Sequence, residues 1–444
     1  MVLVTGEVEG VTDFKKVRAL YPVQLYRHES LVNVSAPHSS LVVETQEERR
    51  HIMPTKRGSS SKVSSLERLG VLVLFLPVIT LSLAGVLFHE LSSARAQTGA
   101  VRHLQVVPAG GKAQGVLHVQ GSQLIDGEGH PLLLRGAQIA GPLNFLANWQ
   151  AGQDPTVWLN PTTFGVIRSW NMNALRLPVS GWYYQDPRFL PLLDTIITQA
   201  NQAGLYVILA LFDDAKSGSP YGQGAAVPKA ENVTFWKVMA AHFAGNPMLL
   251  FDLFNEPTGL TAQTYLTGGG MFTGSTGEVT SSIGFQPLVD AIRSVGAQQI
   301  VIAAAAIPAG DPSIRIHDAN VMYTQHIYSG IAANNPAVWD QQWGSLLGQA
   351  PLFYGEWTVL PNSQIPQQCR PYTPVNAAPL TQAFLSYMDQ RQINWTAWQF
   401  RPYALVQDMT SYTPTTFQGT WTPCDPTGHE GMGEVVKAYL LQGS

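Results

Sequence analysis

Two carboxylates in this sequence occupy equivalent and chemically suggestive positions. Glu256 follows the apolar run in "MLLFDLFNEP" (248–257), and Glu356 follows the one in "PLFYGEWTV" (351–359), flanked by Gly355 and Trp357. A run of this length without helical periodicity reads as a strand buried on both faces. Pro257 cannot donate a ladder hydrogen bond, so the first of these strands must end about there. Each acid therefore falls at the carboxyl end of a buried strand, where barrels built from βα units carry their reactive groups. Two acids converging across one mouth could divide the work of breaking a glycosidic bond. One gives a proton to the leaving oxygen, and the other attacks or stabilises the anomeric carbon. Either acid alone reads as well as a capped turn or a surface ion pair; the shared position favours the chemical reading.

Other strand ends carry compatible groups. Arg176 lies inside the apolar "NALRLPV", where a cation is costly unless an acid meets it, and Asp252 is a core candidate for that partner. His326 and Tyr328 in "QHIYSG" are two apart and so share one side of a strand. "NWTAWQF" ends with Trp395 and Trp398. Each has a plainer explanation: Arg176 paired within the core, His326 satisfied by a backbone carbonyl, Trp398 as barrel filling. Their joint placement at strand ends is what points to a site.

The elements that would position these groups alternate along the chain. "LHVQGSQLIDGEGHPLLLRGAQIAG" gives a hairpin with a turn at Asp126-Gly127-Glu128-Gly129, then a buried strand. Helix "TTFGVIRSW" leads to "NALRLPV", and helix "LPLLDTIITQANQAG", closed by Gly204, leads to "LYVILALF". "VTFWKVMAAHFAGNP" repeats its apolar positions at three- and four-residue steps and feeds the strand before Glu256. The strands "QIVIAAAA", "NVMYTQHIY", "PLFYGEW" and "NWTAWQF" complete a set of eight, and "GMGEVVKAYLLQ" closes the chain. The predicted fold is α/β, a (β/α)8 TIM barrel with an N-terminal β-hairpin and long βα loops over residues 115–444.

Composition narrows the partners. Charged residues are 13% of the 444, about half the usual share, while Gly, Pro, Trp and Tyr are plentiful. A net charge of -4, with no basic cluster in the last three-quarters, argues against nucleic acid. Neutral, aromatic-rich surfaces suit uncharged ligands such as sugars. The only two cysteines, Cys369 and Cys424, could form one disulfide in an exported protein or remain idle thiols in a cytosolic one. They make no zinc site, and no metal or organic cofactor is expected. The glycine stretch "LTGGGMFTGSTGE" (266–278) lacks the lysine of a phosphate loop.

Residues 53–96 read as a signal peptide or type II membrane anchor. The uncharged segment 70–88 is long enough to cross a bilayer, and Lys56, Arg57, Lys62 and Arg68 before it would stay inside. Ala94-Arg95-Ala96 resembles a signal-peptidase site. Everything beyond it is then expected outside the cell, secreted or tethered to the outer face of the plasma membrane. Residues 97–114 form a short linker, and residues 1–52 receive no fold, since Met53 makes a natural basic start. Membrane contact is expected only through this N-terminal segment, and the protein is expected to be a monomer.

"AENVTFWKVMAAHFAGNPMLLFDLFNEP" resembles the helix-to-strand signature of glycoside hydrolase family 5, the cellulase-type retaining glycosidases, and the likeness extends from "LRG" to the last helix. It is strongest at "NEP", "HIY", "GEW" and the terminal Trp. The resemblance implies Glu256 as acid/base and Glu356 as nucleophile. It also implies Asn255 on the 2-hydroxyl of the reacting sugar, Arg176 and Tyr328 bonded to the nucleophile, His326 lining the site, and Trp398 beneath the sugar ring. Trp357 is a further substrate-binding candidate, with Trp182, Tyr183 and Tyr184 as outlying ones. A retaining mechanism predicts carboxyl groups about 5 to 5.5 Å apart.

Two positions depart from the family pattern. "VILALFDD" offers Phe212 where a His is usual, followed by Asp213 and Asp214, and "RGAQIAG" has Gln138 where Asn is common. The acid pair is untouched, so hydrolysis is expected to survive while the choice of sugar at the cleavage site comes into doubt. The expected activity is cleavage of β-1,4-glucan in a poly- or oligosaccharide. A β-mannanase, an exo-β-glucosidase or a non-catalytic glycan-binding barrel are the alternatives, because loops set the shape of a cleft.

Overall fold

The computed structural model describes residues 117–139, 154, 156–212, 227–273, 279–305, 314–328, 331, 333–359, 374–402, 404–417 and 431–442. The chain enters through a three-stranded antiparallel sheet, β1 (His118–Gln120), β2 (Gln123–Ile125) and β3 (Pro131–Leu132). The expected hairpin is β2–β3, its turn tied by Asp126 Oδ1, which accepts from the backbone of Glu128 and His130. A second turn at Gly121, with φ of 62°, folds β1 back as an additional strand.

Eight parallel strands then close a barrel. In chain order they are β4 (Arg135–Gln138), β5 (Ala174–Ser180), β6 (Tyr206–Phe212), β7 (Leu249–Asp252), β10 (Val301–Ala304), β11 (Val321–Ile327), β12 (Leu352–Trp357) and β13 (Asn394–Ala397). β8 (Met271–Thr273) and β9 (Val279–Ser281) form a separate hairpin within the long connection from β7 to β10, an element the glycine-rich sequence gave no sign of. β7 ends at Asp252, well short of Pro257, yet the chain stays extended. The Leu253 amide donates to the Ile302 carbonyl and that of Asn255 to Leu211.

The outer layer follows the helical patterns of the sequence. α1 (Pro161–Ser169) starts with proline behind an Asn160 cap, whose side chain accepts from the Thr163 amide. α2 (Phe189–Gln202) is closed by Gly204 at φ 84°. α3 (Ala230–Phe243) buries Phe235, Trp236, Met239 and Phe243. α4 (Ala262–Thr267) and α5 (Gln286–Ser294) precede β10; α6 (Pro336–Trp343), α7 (Pro374–Gln390) and α8 (Gly433–Gln442) follow β11, β12 and β13.

Strand alternation divides the core in two. Ala174, Tyr206, Ile208, Leu250, Ile302, Met322 and Phe353 fill the lower barrel, where Leu124 and Leu132 of the entry sheet join them. Leu175, Leu177, Val207, Leu209 and Phe251 face the helices instead. Above the apolar floor the interior turns polar, beginning with Gln138, Arg176 and Asp252, all closed to solvent.

Residues 1–52, the 70–88 segment, the cleavage site at 94–96, the 97–114 linker, Asp213, Asp214, Cys369 and Cys424 lie outside the described residues. Among the described residues no helix is long and apolar enough to cross a membrane.

Candidate active site

Arg176 organises the polar layer. Its position in β5 puts it beside Gln138 of β4 and two strands from Asp252 of β7, with β6 between them. Nη1 donates to Glu356 Oε1 at 2.7 Å and to Gln138 Oε1 at 2.5 Å. Nη2 donates to Asn255 Oδ1 at 3.0 Å, and both Nε and Nη2 reach Asp252 Oδ2 at 2.9 and 2.7 Å. Arg176 therefore meets both acids named for it in the sequence, Asp252 in the core and Glu356 at the strand end. Burial disfavours its charge, but Asp252 and Glu356 outweigh that and hold the guanidinium above its ordinary value.

Glu356 is 3% exposed and held from two sides. Arg176 takes Oε1, and the Tyr328 hydroxyl donates to Oε2 at 2.5 Å. Burial, then the negative charges of Glu356 and Glu256, keep the Tyr328 phenol well above the usual tyrosine range, so it remains a donor. Glu256 is its opposite in exposure, with half of its side chain open. Its φ of 43° is a conformation non-glycine residues seldom adopt, the kind of local strain that clusters at functional sites. His326 Nδ1 lies 2.9 Å from Glu256 Oε1 and 3.5 Å from Glu356 Oε2. One oxygen of each carboxylate and a ring nitrogen of His326 fall within 4.8 Å of one another. Such a trio could ligate a cation, but His326 Nδ1 is engaged with Glu256 and both Glu356 oxygens already accept hydrogen bonds.

Six predicted residues thus converge: Glu256, Glu356, Arg176, Asn255, His326 and Tyr328. Trp398 follows β13, half-buried, its amide bonded to the Trp357 carbonyl. Trp357 departs from expectation. Its ring is fully buried in the helix-facing layer, edge-on to Phe384 and Trp395, and offers no face to a sugar. Tyr184 likewise packs edge-on to Phe235, and the Trp182 ring carries Lys229 Nζ 4.7 Å from its centroid. Phe212, in place of the expected His, lies 5.4 Å from Arg176 Cζ and supplies an aromatic face to the shared cation. Gln138, noted in the sequence only as a departure, proves to be a ligand of Arg176. Its Nε2 and Asp252 Oδ1 are buried without hydrogen-bond partners among the described residues.

Comparison with known proteins agrees with this architecture. The profile of the Cellulase family, glycosyl hydrolase family 5, matches residues 129–404, more than half of the chain. Endoglucanase 5 of Pectobacterium carotovorum subsp. carotovorum is 23% identical over 301 residues, covering 65% of this chain and 50% of that protein. Endoglucanase MaCel5A of Microbulbifer sp. (strain ALW1) is 28% identical over 305 residues, covering 64% of this chain and 51% of the other. The chain thus spans about half the length of these curated relatives. The crystal structure of the beta-glucanase SdGluc5_26A from Saccharophagus degradans superposes with a TM-score of 0.52 at 19% identity, over 77% of this chain and 95% of that one, a likeness of fold. With the barrel, the strand-end acids and a matching family profile in agreement, the chain belongs to glycosyl hydrolase family 5, the cellulase family.

Proposed function

We propose that the protein is an exported, monomeric, retaining hydrolase of β-1,4-glucan. The observation that carries this is the facing of Glu256 and Glu356 within 4.8 Å, one half-exposed and one buried between Arg176 and Tyr328. That separation suits the closer-spaced, retaining arrangement, since an inverting pair needs about 6.5 Å or more to admit a water. In the first step Glu356 attacks the anomeric carbon while Glu256 gives its proton to the leaving oxygen. In the second, Glu256 takes a proton from water, which attacks the same carbon and releases Glu356. Asn255, the residue before the acid/base, would hold the 2-hydroxyl, and Trp398 would stack under the ring. The two carboxylates supply proton and nucleophile, so no cofactor is required.

Glucan is favoured by the kinship with endoglucanases and by a related beta-glucanase whose structure contains cellotetraose. Export is inferred from the 70–88 segment behind its basic flank, and monomeric action from a site built by one chain. Replacing Glu356 by Ala should abolish turnover of an aryl β-cellobioside while leaving binding intact. Glu256→Ala should spare the first step on substrates whose leaving group needs no proton, giving a burst of that group, and slow the second step, which lacks its base. A wild-type protein that binds glucan without hydrolysing it would identify a binding barrel instead, and a screen over glucan, mannan, xylan and xyloglucan sets the substrate. N-terminal sequencing of the exported protein tests cleavage after Ala96.

A further inference from the structure

Strand β12 carries one residue more than either neighbour. On the β11 side, the register passes from Gln325–Tyr354 to His326–Glu356. On the β13 side it passes from Tyr354–Trp395 to Trp357–Ala397, so Thr396 alone faces the pair Gly355 and Glu356. Such a bulge resets the alternation of side chains and re-aims the residue after it. Phe353 lies in the barrel interior and Tyr354 against the helices. Unbroken alternation would then turn Glu356 outward and Trp357 inward. The reverse is found, with Glu356 on Arg176 inside and Trp357 on Phe384 outside.

Two contacts fix the extra residue. Thr396, fully buried, donates its hydroxyl to the Gly355 carbonyl at 2.5 Å. The space at Gly355 is closed as well: a Cβ there would stand 2.8 Å from Thr324 Oγ1 and 2.9 Å from His326 Nε2. We propose that Thr396 is a positioning residue, whose hydroxyl holds the Gly355 peptide and thereby sets the direction in which Glu356 projects. This rests on the hydrolase reading above and adds to it a residue that acts through the backbone.

Thr396→Val keeps the shape and removes the hydroxyl; Thr396→Ser keeps the hydroxyl and loses a methyl. On an aryl β-cellobioside the valine variant should lose at least about tenfold in kcat with KM within about twofold, since a displacement near 1 Å can cost about 100-fold. The serine variant should stay within about threefold of wild type. A threonine that serves only packing would leave kcat per folded molecule unchanged in both. Near-wild-type kcat in T396V, or a tenfold loss in T396S, overturns the proposal. If T396V does not fold, Thr396→Ala, which also lacks the hydroxyl and is smaller, takes its place with the same expected loss and the same overturning result. Wild-type turnover in the same assay separates the two ideas. Its absence sinks the hydrolase reading itself, whereas turnover with an indifferent Thr396 removes only the anchor.

Discussion

Arg176 and Asp252 form an ion pair closed to solvent, in which Nε and Nη2 converge on a single carboxylate oxygen, Oδ2, at 2.9 and 2.7 Å. Because the same guanidinium also holds Glu356, Asp252 acts on that carboxylate at one remove, by fixing the cation that holds it. Breaking a buried pair from one side leaves an uncompensated charge, at a cost of about 3–5 kcal/mol. Asp252→Ala should lower the unfolding free energy in urea by that amount. Asp252→Asn, which keeps the shape and one acceptor, should lose less, about 1–3 kcal/mol. An alanine variant as stable as wild type would mean the pair does not form in solution.

The Tyr328 hydroxyl is the second constraint on Glu356. A hydrogen bond to a charged group contributes about 1.5–3 kcal/mol, which corresponds to roughly 10–150-fold. Tyr328→Phe should therefore reduce kcat/KM on an aryl β-cellobioside within that range and also lower the thermal midpoint, since a buried Glu356 oxygen loses its donor. Loss below threefold would show that Arg176 alone suffices to hold the carboxylate.

These two contacts mark how far the sequence could be read. Glu256, Glu356, Arg176, His326 and Tyr328 were legible because each breaks or ends an apolar run, and a polar group there is expensive without a purpose. The barrel was legible for the same reason, from strand runs alternating with helical periodicity. What alternation alone could not deliver was parity. Trp357, adjacent to Glu356, looks like a site residue until the bulge at Gly355 turns it to the helices. The only local signal was a glycine within a strand, which often marks a bulge. Gln138 was hidden differently: its partner lies 38 residues away, across a strand pair whose register the sequence does not state. The β8–β9 hairpin was masked by its glycine-rich flanks, where Gly268 and Gly284 allow backbone approaches that a Cβ would block at 2.2 and 2.4 Å.

The two tryptophans around β12 and β13 should behave as opposites. Trp357 is fully buried, so Trp357→Ala should cost about 3–5 kcal/mol of stability through the cavity it leaves. Trp398 is half-buried, directly after β13. Trp398→Ala should leave the thermal midpoint nearly unchanged and lower kcat/KM at least about tenfold, equivalent to about 1.4 kcal/mol. Equal stability losses with unchanged kinetics for both variants would remove Trp398 from the substrate site.

Alkaline pH should unfold the barrel through its tyrosines. Tyr206, at the start of β6 and 2% exposed, has its phenol pushed up to about 12, chiefly by burial and secondarily by the charge of Asp126. Tyr265 and Tyr328 are likewise held well above the usual tyrosine range, again first by burial. In the unfolded chain the same groups ionise near about 10. A raised folded value means the unfolded state releases the proton first. The contribution of each tyrosine is therefore complete below about pH 10 and is lost as pH climbs toward its folded value. Each such group should steepen the fall in unfolding free energy by up to about 1.4 kcal/mol per pH unit. Urea unfolding at successive pH values above about 10 should show this slope, and Tyr206→Phe should remove one tyrosine's share of it between about 10 and 12. A slope unchanged by that substitution would mean Tyr206 ionises freely in the folded protein, and so that water reaches the floor of the barrel.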